Sequence, residues 1–249
     1  MAAPAWLTAR PIAHRGYHDA AAGRLENTLP AAEAAIARNF PIECDLQLTA
    51  DGEAVVFHDD ILERLTEASG PVAARTLSEL RAVRFRNNDA HIPTLDDLLD
   101  LVDGRVPLVV ELKSSFKGDR RLEAAVAPAL AAYTGPLVIM SFDPASMTAM
   151  RRLAPTLPRG MLADRFRAAD WPDLSAAKRF AYATMTAAAA VLPSFVAYDV
   201  TGLPASPPLA LRHFFGLPLL TWTVRTAAER ATARQWADQI IFEGFDPEA

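Results

Sequence analysis

The stretch Pro41-Ile42-Glu43-Cys44-Asp45-Leu46-Gln47-Leu48-Thr49 alternates strictly between apolar and polar side chains. A period of two is that of a β-strand, whose successive side chains leave by opposite faces. Ile42, Cys44, Leu46 and Leu48 share one face, and Glu43, Asp45 and Gln47 share the other. The apolar face suits a covering layer of helices, so the carboxylates must point inward, into a space that strands enclose. Ala50-Asp51-Gly52 then signals a turn before the short apolar run Ala54–Phe57. Two strands across Asp-Gly predict a hairpin that carries the second strand past the sheet rim and folds back over the opening.

Seven further runs read as strands: Pro11–His14, Leu108–Lys113, Leu137–Ser141, Arg159–Ala163, Phe195–Val200, Pro218–Thr223 and Gln239–Phe242. Helical segments lie between them, among them Thr28–Arg38, with Asn27 as the expected N-cap, Leu122–Ala132, Pro144–Leu153 and Thr226–Ala237. Eight strands with helical crossovers in 249 residues predict an α/β fold, a TIM-type (β/α)8 barrel with a β-hairpin and small insertion after strand two. The expected organisation is one domain over 1–249, with the insertion at about 50–107. Thr76-Leu77-Ser78-Glu79 and Thr94-Leu95-Asp96-Asp97 both read as helix starts within it, and the segment Asp60–Arg105 is expected to cover part of the site.

Composition narrows the function. Hydrophobic residues make up 51% and charged residues 22%, enough for a full core and unlike a disordered or disulfide-stapled chain. A net charge of −5 argues against nucleic acid as the main partner, which would need a basic face. Cys44 is the sole cysteine; no intrachain disulfide is possible, and a reducing, cytoplasmic location is expected. Met1–Arg10 lacks the basic start and apolar run of a leader, and His14 follows too closely for a cleaved one. Phe180–Tyr198 carries no charge over 19 residues. Its Ala, Thr and Ser content and Pro193 predict an Ala-rich helix running into a strand, with no transmembrane segment.

Reactive groups in a barrel gather at the C-terminal ends of strands. Strand one ends in His14-Arg15-Gly16, the hairpin in His58-Asp59, and Glu111 and Lys113 share a face of Leu108–Lys113. Burying Glu43, Asp45 and Glu111 together is costly without compensation. A divalent cation removes that cost, and all-oxygen ligation favours Mg²⁺ or Ca²⁺. The competing arrangement pairs these acids with Arg or Lys inside the barrel, Lys113 first among them. His14 and His58 are candidates for an acid–base pair near pH 7, while His18, His91 and His213 read as surface or packing residues. Arg15 and Lys113 add fixed positive charge, which with a cation suits an anionic small-molecule substrate such as a phosphate ester. Trp222 is placed either as a pocket wall or as ordinary core.

His14-Arg15-Gly16, Glu26-Asn27-Thr28, Glu43-Cys44-Asp45, Thr49-Ala50-Asp51-Gly52, Val55-Val56-Phe57-His58-Asp59, Glu111-Leu112-Lys113 and Trp222-Thr223-Val224 occur in that order from Ile12 to about Pro247. In this ordered set the chain resembles the glycerophosphodiester phosphodiesterases. The resemblance implies a barrel with an insertion after strand two and metal-dependent hydrolysis of glycerophosphodiesters to glycerol 3-phosphate and an alcohol. It implies His14 and His58 as the acid–base pair, Glu43, Asp45 and Glu111 as metal ligands, and Arg15 and Lys113 on the phosphate. Three features depart from the family. Leu25 stands where Pro is usual before Glu-Asn-Thr. Phe242-Glu243 replaces the frequent Thr-Asp, so no site residue is carried there. The sequence ends at Ala249 with too little for a usual eighth helix, and Trp6 and Leu7 are candidates to cover the surface this leaves. Rival readings are a lipid phosphodiesterase of lysophospholipase D or sphingomyelinase D type, and a non-catalytic barrel that only binds a phosphodiester. The oligomeric state is left open.

Overall fold

A computed structural model describes residues 2–249. Nine strands form one sheet: β1 (Ile12–Ala13), β2 (Ile42–Leu48), β3 (Ala54–Val56), β4 (Leu108–Leu112), β5 (Leu137–Ser141), β6 (Arg159–Ala163), β7 (Phe195–Asp199), β8 (Leu219–Val224) and β9 (Gln239–Phe242). All except β3 run parallel in a closed ring, in which β1 pairs with both β9 and β2. β1 meets β2 only at Ala13 opposite Ile42, which leaves the far edge of β2 unpaired. β3 takes that edge in antiparallel register, Leu46 opposite Val56 and Leu48 opposite Ala54, outside the ring. The expected eight-stranded barrel with its hairpin is therefore present.

The strand parity read from the sequence separates two cores. Ile42, Cys44, Leu46, Val110 and Leu112 pack outward against the helices. Val109 points into the lumen with Val138, Leu162, Phe195, Ala197, Leu220 and Ile241. Leu7 joins that inner set, fully buried, so the N-terminal turn Ala5–Thr8 closes the floor of the barrel. This corrects the expected role of Trp6 and Leu7. The outer surface near β9 is covered instead by Phe245 on Phe242, with the Arg230 guanidinium 4.9 Å from the Phe245 ring.

The helices are α1 (Leu29–Ala37), α2 (Leu77–Arg81), α3 (Leu95–Val102), α4 (Arg121–Ala132), α5 (Pro144–Leu153), α6 (Ala176–Ala183), α7 (Ala188–Val191), α8 (Ser206–Phe215) and α9 (Ala227–Trp236). Both expected starts after β3 are capping boxes, Thr76 with Glu79 and Thr94 with Asp97. α3 buries Leu95, Leu98, Leu99 and Val102 on the ring and so serves as an ordinary crossover helix. The segment before it has a small core of its own, in which Phe57, Leu62, Val72, Leu80 and Phe85 pack together. One cap differs from expectation. Thr28, not Asn27, occupies the N-cap of α1, because Asn27 takes a left-handed φ of 55° and turns its amide to Asp45. The charge-free stretch from Phe180 resolves into the end of α6, then α7, then β7. Among the described residues no helix is long and apolar enough to cross a membrane.

Candidate active site

The C-terminal ends of the ring strands surround a cavity of about 470 Å³. Every residue singled out from the sequence lines it: His14, Arg15, Glu43, Asp45, His58, Glu111, Lys113 and Trp222. Glu43, Asp45 and Glu111 are all buried, and each offers an oxygen within 4.8 Å of the other two. β2 and β4 pair Asp45 opposite Glu111, so parity and register together create the cluster.

The competing arrangement is present in part. Lys113 Nζ stands 3.1 Å from Asp45 and 3.0 Å from Glu111, and Arg15 Nε stands 3.4 Å from Asp45. Asn27 donates to Asp45 at 2.8 Å. Burial pushes the Asp45 carboxyl up, but Lys113, His58 and Arg15 outweigh it and hold Asp45 well below the usual range. Glu43 is different. Its one hydrogen bond among those found is from the Arg15 backbone N–H at 3.0 Å. Burial, with Asp45 and Glu111 beside it, pushes its carboxyl well up.

Charge in the connected network does not balance. Arg15 and Arg64 both bind Glu26, and Arg64 also binds Asp59. Glu26, Asp45, Asp59 and Glu111 share three permanent cations, Arg15, Arg64 and Lys113, and among the described residues Glu43 adds a fifth acid with no Arg or Lys ion pair of its own. Three buried oxygen donors in a network two positive charges short fit a hard divalent cation.

Both histidines have the same local device. His14 Nδ1 is 2.5 Å from Glu243 Oε2, and His58 Nδ1 is 2.7 Å from Asp59 Oδ1. A carboxylate acceptor on Nδ1 places the ring proton there and leaves Nε2 free to exchange one. Burial carries His14 down to about 4 against the pull of Glu243, so its ring is neutral near pH 7. His58 is held by its flanks: Gln47, the third polar residue of β2, donates to the Phe57 and Asp59 carbonyls at 3.0 and 2.6 Å. Gly16 makes room beside His14 and Arg15. Its φ is 81°, and a Cβ there would stand 2.9 Å from the Ala31 backbone.

Two residues set aside in the sequence reading belong to this site. Glu243 binds His14 and also accepts from Arg225 Nε at 2.6 Å. His18 Nε2 lies 3.4 Å from the same Glu243 oxygen, so His14, His18 and Glu243 form a second compact group. The signal was available: Glu243 follows β9 at the same barrel rim as the other polar strand ends. His91 and His213 are exposed, as expected.

The closed parallel barrel thus brings two carboxylate-bound histidines and three buried acids to one rim, and the comparisons with known proteins give the class, a hydrolase of phosphoric diesters. Residues 14–245 match the model of the glycerophosphoryl diester phosphodiesterase family. The chain is 30% identical over 238 residues to the protein named probable glycerophosphodiester phosphodiesterase 1 of Mycobacterium tuberculosis, covering 86% of this chain and 81% of that one. It is 29% identical over 258 residues to a glycerophosphodiester phosphodiesterase of Bacillus subtilis, covering 94% and 83%. In fold it is similar to an Oleispira antarctica phosphodiesterase solved with the product sn-glycerol-3-phosphate, with a TM-score of 0.77, 22% identity, and coverage of 93% and 91%. The chain belongs to the glycerophosphoryl diester phosphodiesterase family.

Proposed function

We propose that this chain hydrolyses glycerophosphodiesters to glycerol 3-phosphate and an alcohol, with His14 and His58 as the acid–base pair. The observation that carries the reading is that both histidines line one cavity with the three buried acids. The product held by the Oleispira relative supports the same reading of the phosphate half. Glu43, Asp45 and Glu111 would hold a divalent cation, Mg²⁺ or Ca²⁺, which when bound supplies positive charge toward the non-bridging phosphate oxygens. Arg15 and Lys113 bind those oxygens and offset the charge that grows as phosphorus becomes five-coordinate.

One histidine takes the proton of the nucleophile while the other protonates the leaving alcohol oxygen. The nucleophile is either water or the glycerol 2-hydroxyl, the latter through a cyclic phosphate that water then opens. His14, neutral through burial, suits the accepting role, and His58 the donating one. Trp222 forms one wall around the substrate. The single buried Cys44 is compatible with work in a reducing cytoplasm. The test is a panel of glycerophosphodiesters with choline, ethanolamine, glycerol and inositol, assayed for glycerol 3-phosphate with and without EDTA. Release that EDTA abolishes and Mg²⁺ or Ca²⁺ restores is expected. No release from any member, or full release by metal-free protein, overturns the proposal.

A further inference from the structure

One side chain of the insertion after β3 reaches back to the catalytic rim. Arg64 lies in a turn between two bridges, Ile61 with Pro71 and Thr66 with Phe85. Leu62 and Thr66 on either side of it are fully buried. The Thr66 hydroxyl donates to the Leu62 carbonyl at 2.8 Å, and the Arg86 guanidinium donates to the Glu63 carbonyl at 3.2 Å. The backbone of Arg64 is thus fixed by the insertion.

Its guanidinium forks between two carboxylates from distant parts of the chain. Nε and Nη2 donate to the two oxygens of Asp59 at 2.5 and 2.9 Å, and Nη1 and Nη2 to the two oxygens of Glu26 at 2.9 and 2.7 Å. Each carboxylate holds one group of the proposed reaction. His58 Nδ1 is 2.7 Å from Asp59 Oδ1, and Arg15 Nη1 donates to Glu26 Oε1 at 2.6 Å. These are the same two oxygens that Arg64 Nη2 binds, so a single amino group bridges the anchor of His58 to the anchor of Arg15. Burial pushes the Glu26 carboxyl up, but Arg64 and Arg15 hold it down at about 2. Burial pushes Asp59 up as well, and Arg64 and His58 hold it below the usual carboxylate range. Among the described residues, His58 and Arg15 line the catalytic cavity, whereas Arg64, Asp59 and Glu26 do not. A planar fork fixes the placement of two carboxylates at once, which the point charge of an ammonium does not.

We propose that Arg64 is a positioning residue: its guanidinium braces Asp59 against Glu26 and so sets His58, the proton donor, relative to Arg15, the phosphate binder. The inference rests on the phosphodiesterase reading above and adds a residue that reading does not use. It gives the insertion a part in catalysis although Arg64 touches no reacting atom. With the brace in place, His58 and Arg15 address one substrate in a fixed relation. Without it, each keeps its own carboxylate, but the two anchors move independently. Among the described residues Arg64 pairs with none of Glu43, Asp45 and Glu111, so bound metal should not change.

The experiment measures kcat and KM for glycerophosphoethanolamine, bound divalent metal and a thermal melt in the wild type, Arg64→Ala, Arg64→Lys, Asp59→Asn, Glu26→Gln and the double variant Arg64→Ala/Asp59→Asn. Arg64→Ala should lower kcat/KM about 10²-fold, through both kcat and KM, with metal content unchanged. Asp59→Asn should repeat the loss in kcat and Glu26→Gln the rise in KM. Adding Arg64→Ala to Asp59→Asn should lower kcat by no more than about twofold further, because the partner it acts through is already gone. The Arg64 side chain is 46% exposed, so millimolar guanidinium should reach the gap in Arg64→Ala and raise its turnover about fivefold or more, where sodium chloride of equal ionic strength does not. Loss of fold alone would not respond in this way. Turnover in Arg64→Ala within about twofold of wild type, an equal loss with and without the Asp59 carboxylate, no rescue by guanidinium, or wild-type kinetics in Arg64→Lys overturns the inference. If Arg64→Ala does not fold, Arg64→Lys carries the test, with a loss of about tenfold or more expected. Turnover by the wild type in any of these cases leaves the phosphodiesterase reading standing; no wild-type turnover on any diester removes both.

Discussion

The two sides of the barrel rim are built from opposite materials. On the side of β1, β2 and β4, His14, Arg15, Glu43, Asp45, Glu111 and Lys113 crowd together, and ion pairs link most of them. On the side of β5 to β8, Phe142, Phe166, Trp171 and Trp222 form a continuous run of ring contacts, and Asp164 accepts from Trp171 Nε1 beside them. The charged side sits on strands, where register fixes each carboxylate and movement is costly. Most of the aromatic side sits on loops that follow strands, where shape changes without disturbing the ring. Under the proposed function, chemistry falls to the first side and contact with the rest of the substrate to the second.

That division is open to attack from either side. The largest effect is expected at Glu43. Glu43→Gln should weaken metal binding and lower kcat on the order of 10²-fold, measured by metal titration of stripped protein and by glycerol 3-phosphate release. Its stability should change sign with the metal. In EDTA the variant should melt no lower than wild type, because Gln removes the cost of burying a third carboxyl beside Asp45 and Glu111; in saturating Mg²⁺ it should melt lower. Next comes Glu243→Ala, which takes the acceptor from His14 Nδ1 and should reduce kcat about 10- to 100-fold with metal content unchanged. On the aromatic side, Phe142→Ala should act mainly on KM, raising it about tenfold; an equal loss in kcat would erase the distinction between the two sides. The smallest effect is expected at the cap of α3, distant from both. Thr94→Ala removes the hydroxyl that accepts from the Asp97 N–H and should cost about 1 kcal/mol, a Tm shift of roughly 2–4 °C, with kcat unaltered.

The charged side was legible in the sequence because strand parity is a strict rule. Glu43, Asp45 and Gln47 alternate with apolar neighbours, and Glu111 and Lys113 repeat the pattern on the paired strand. Glu243 was not carried into the site because it stands where the family pattern has Asp. Only ring closure, with β1 paired to β9, brings residue 243 against residue 14. His18 was passed over because it ends no strand, and its partner in the fold is Glu243. Asn27 was misjudged because a polar residue before a helix ordinarily caps it, and here a buried carboxylate competed for the amide and won. The aromatic wall had no local signal. Phe116, Phe142 and Trp171 lie outside the strands and helices, and rings in loops carry no period that would assign them to one surface.

The most direct test of the division of labour is to replace the two histidines separately and measure turnover and bound metal on the same samples. His14→Ala and His58→Ala should each lose at least about 10²-fold in kcat while holding as much divalent cation as the wild type. Near wild-type turnover in either variant would contradict the assignment of acid–base chemistry to this pair.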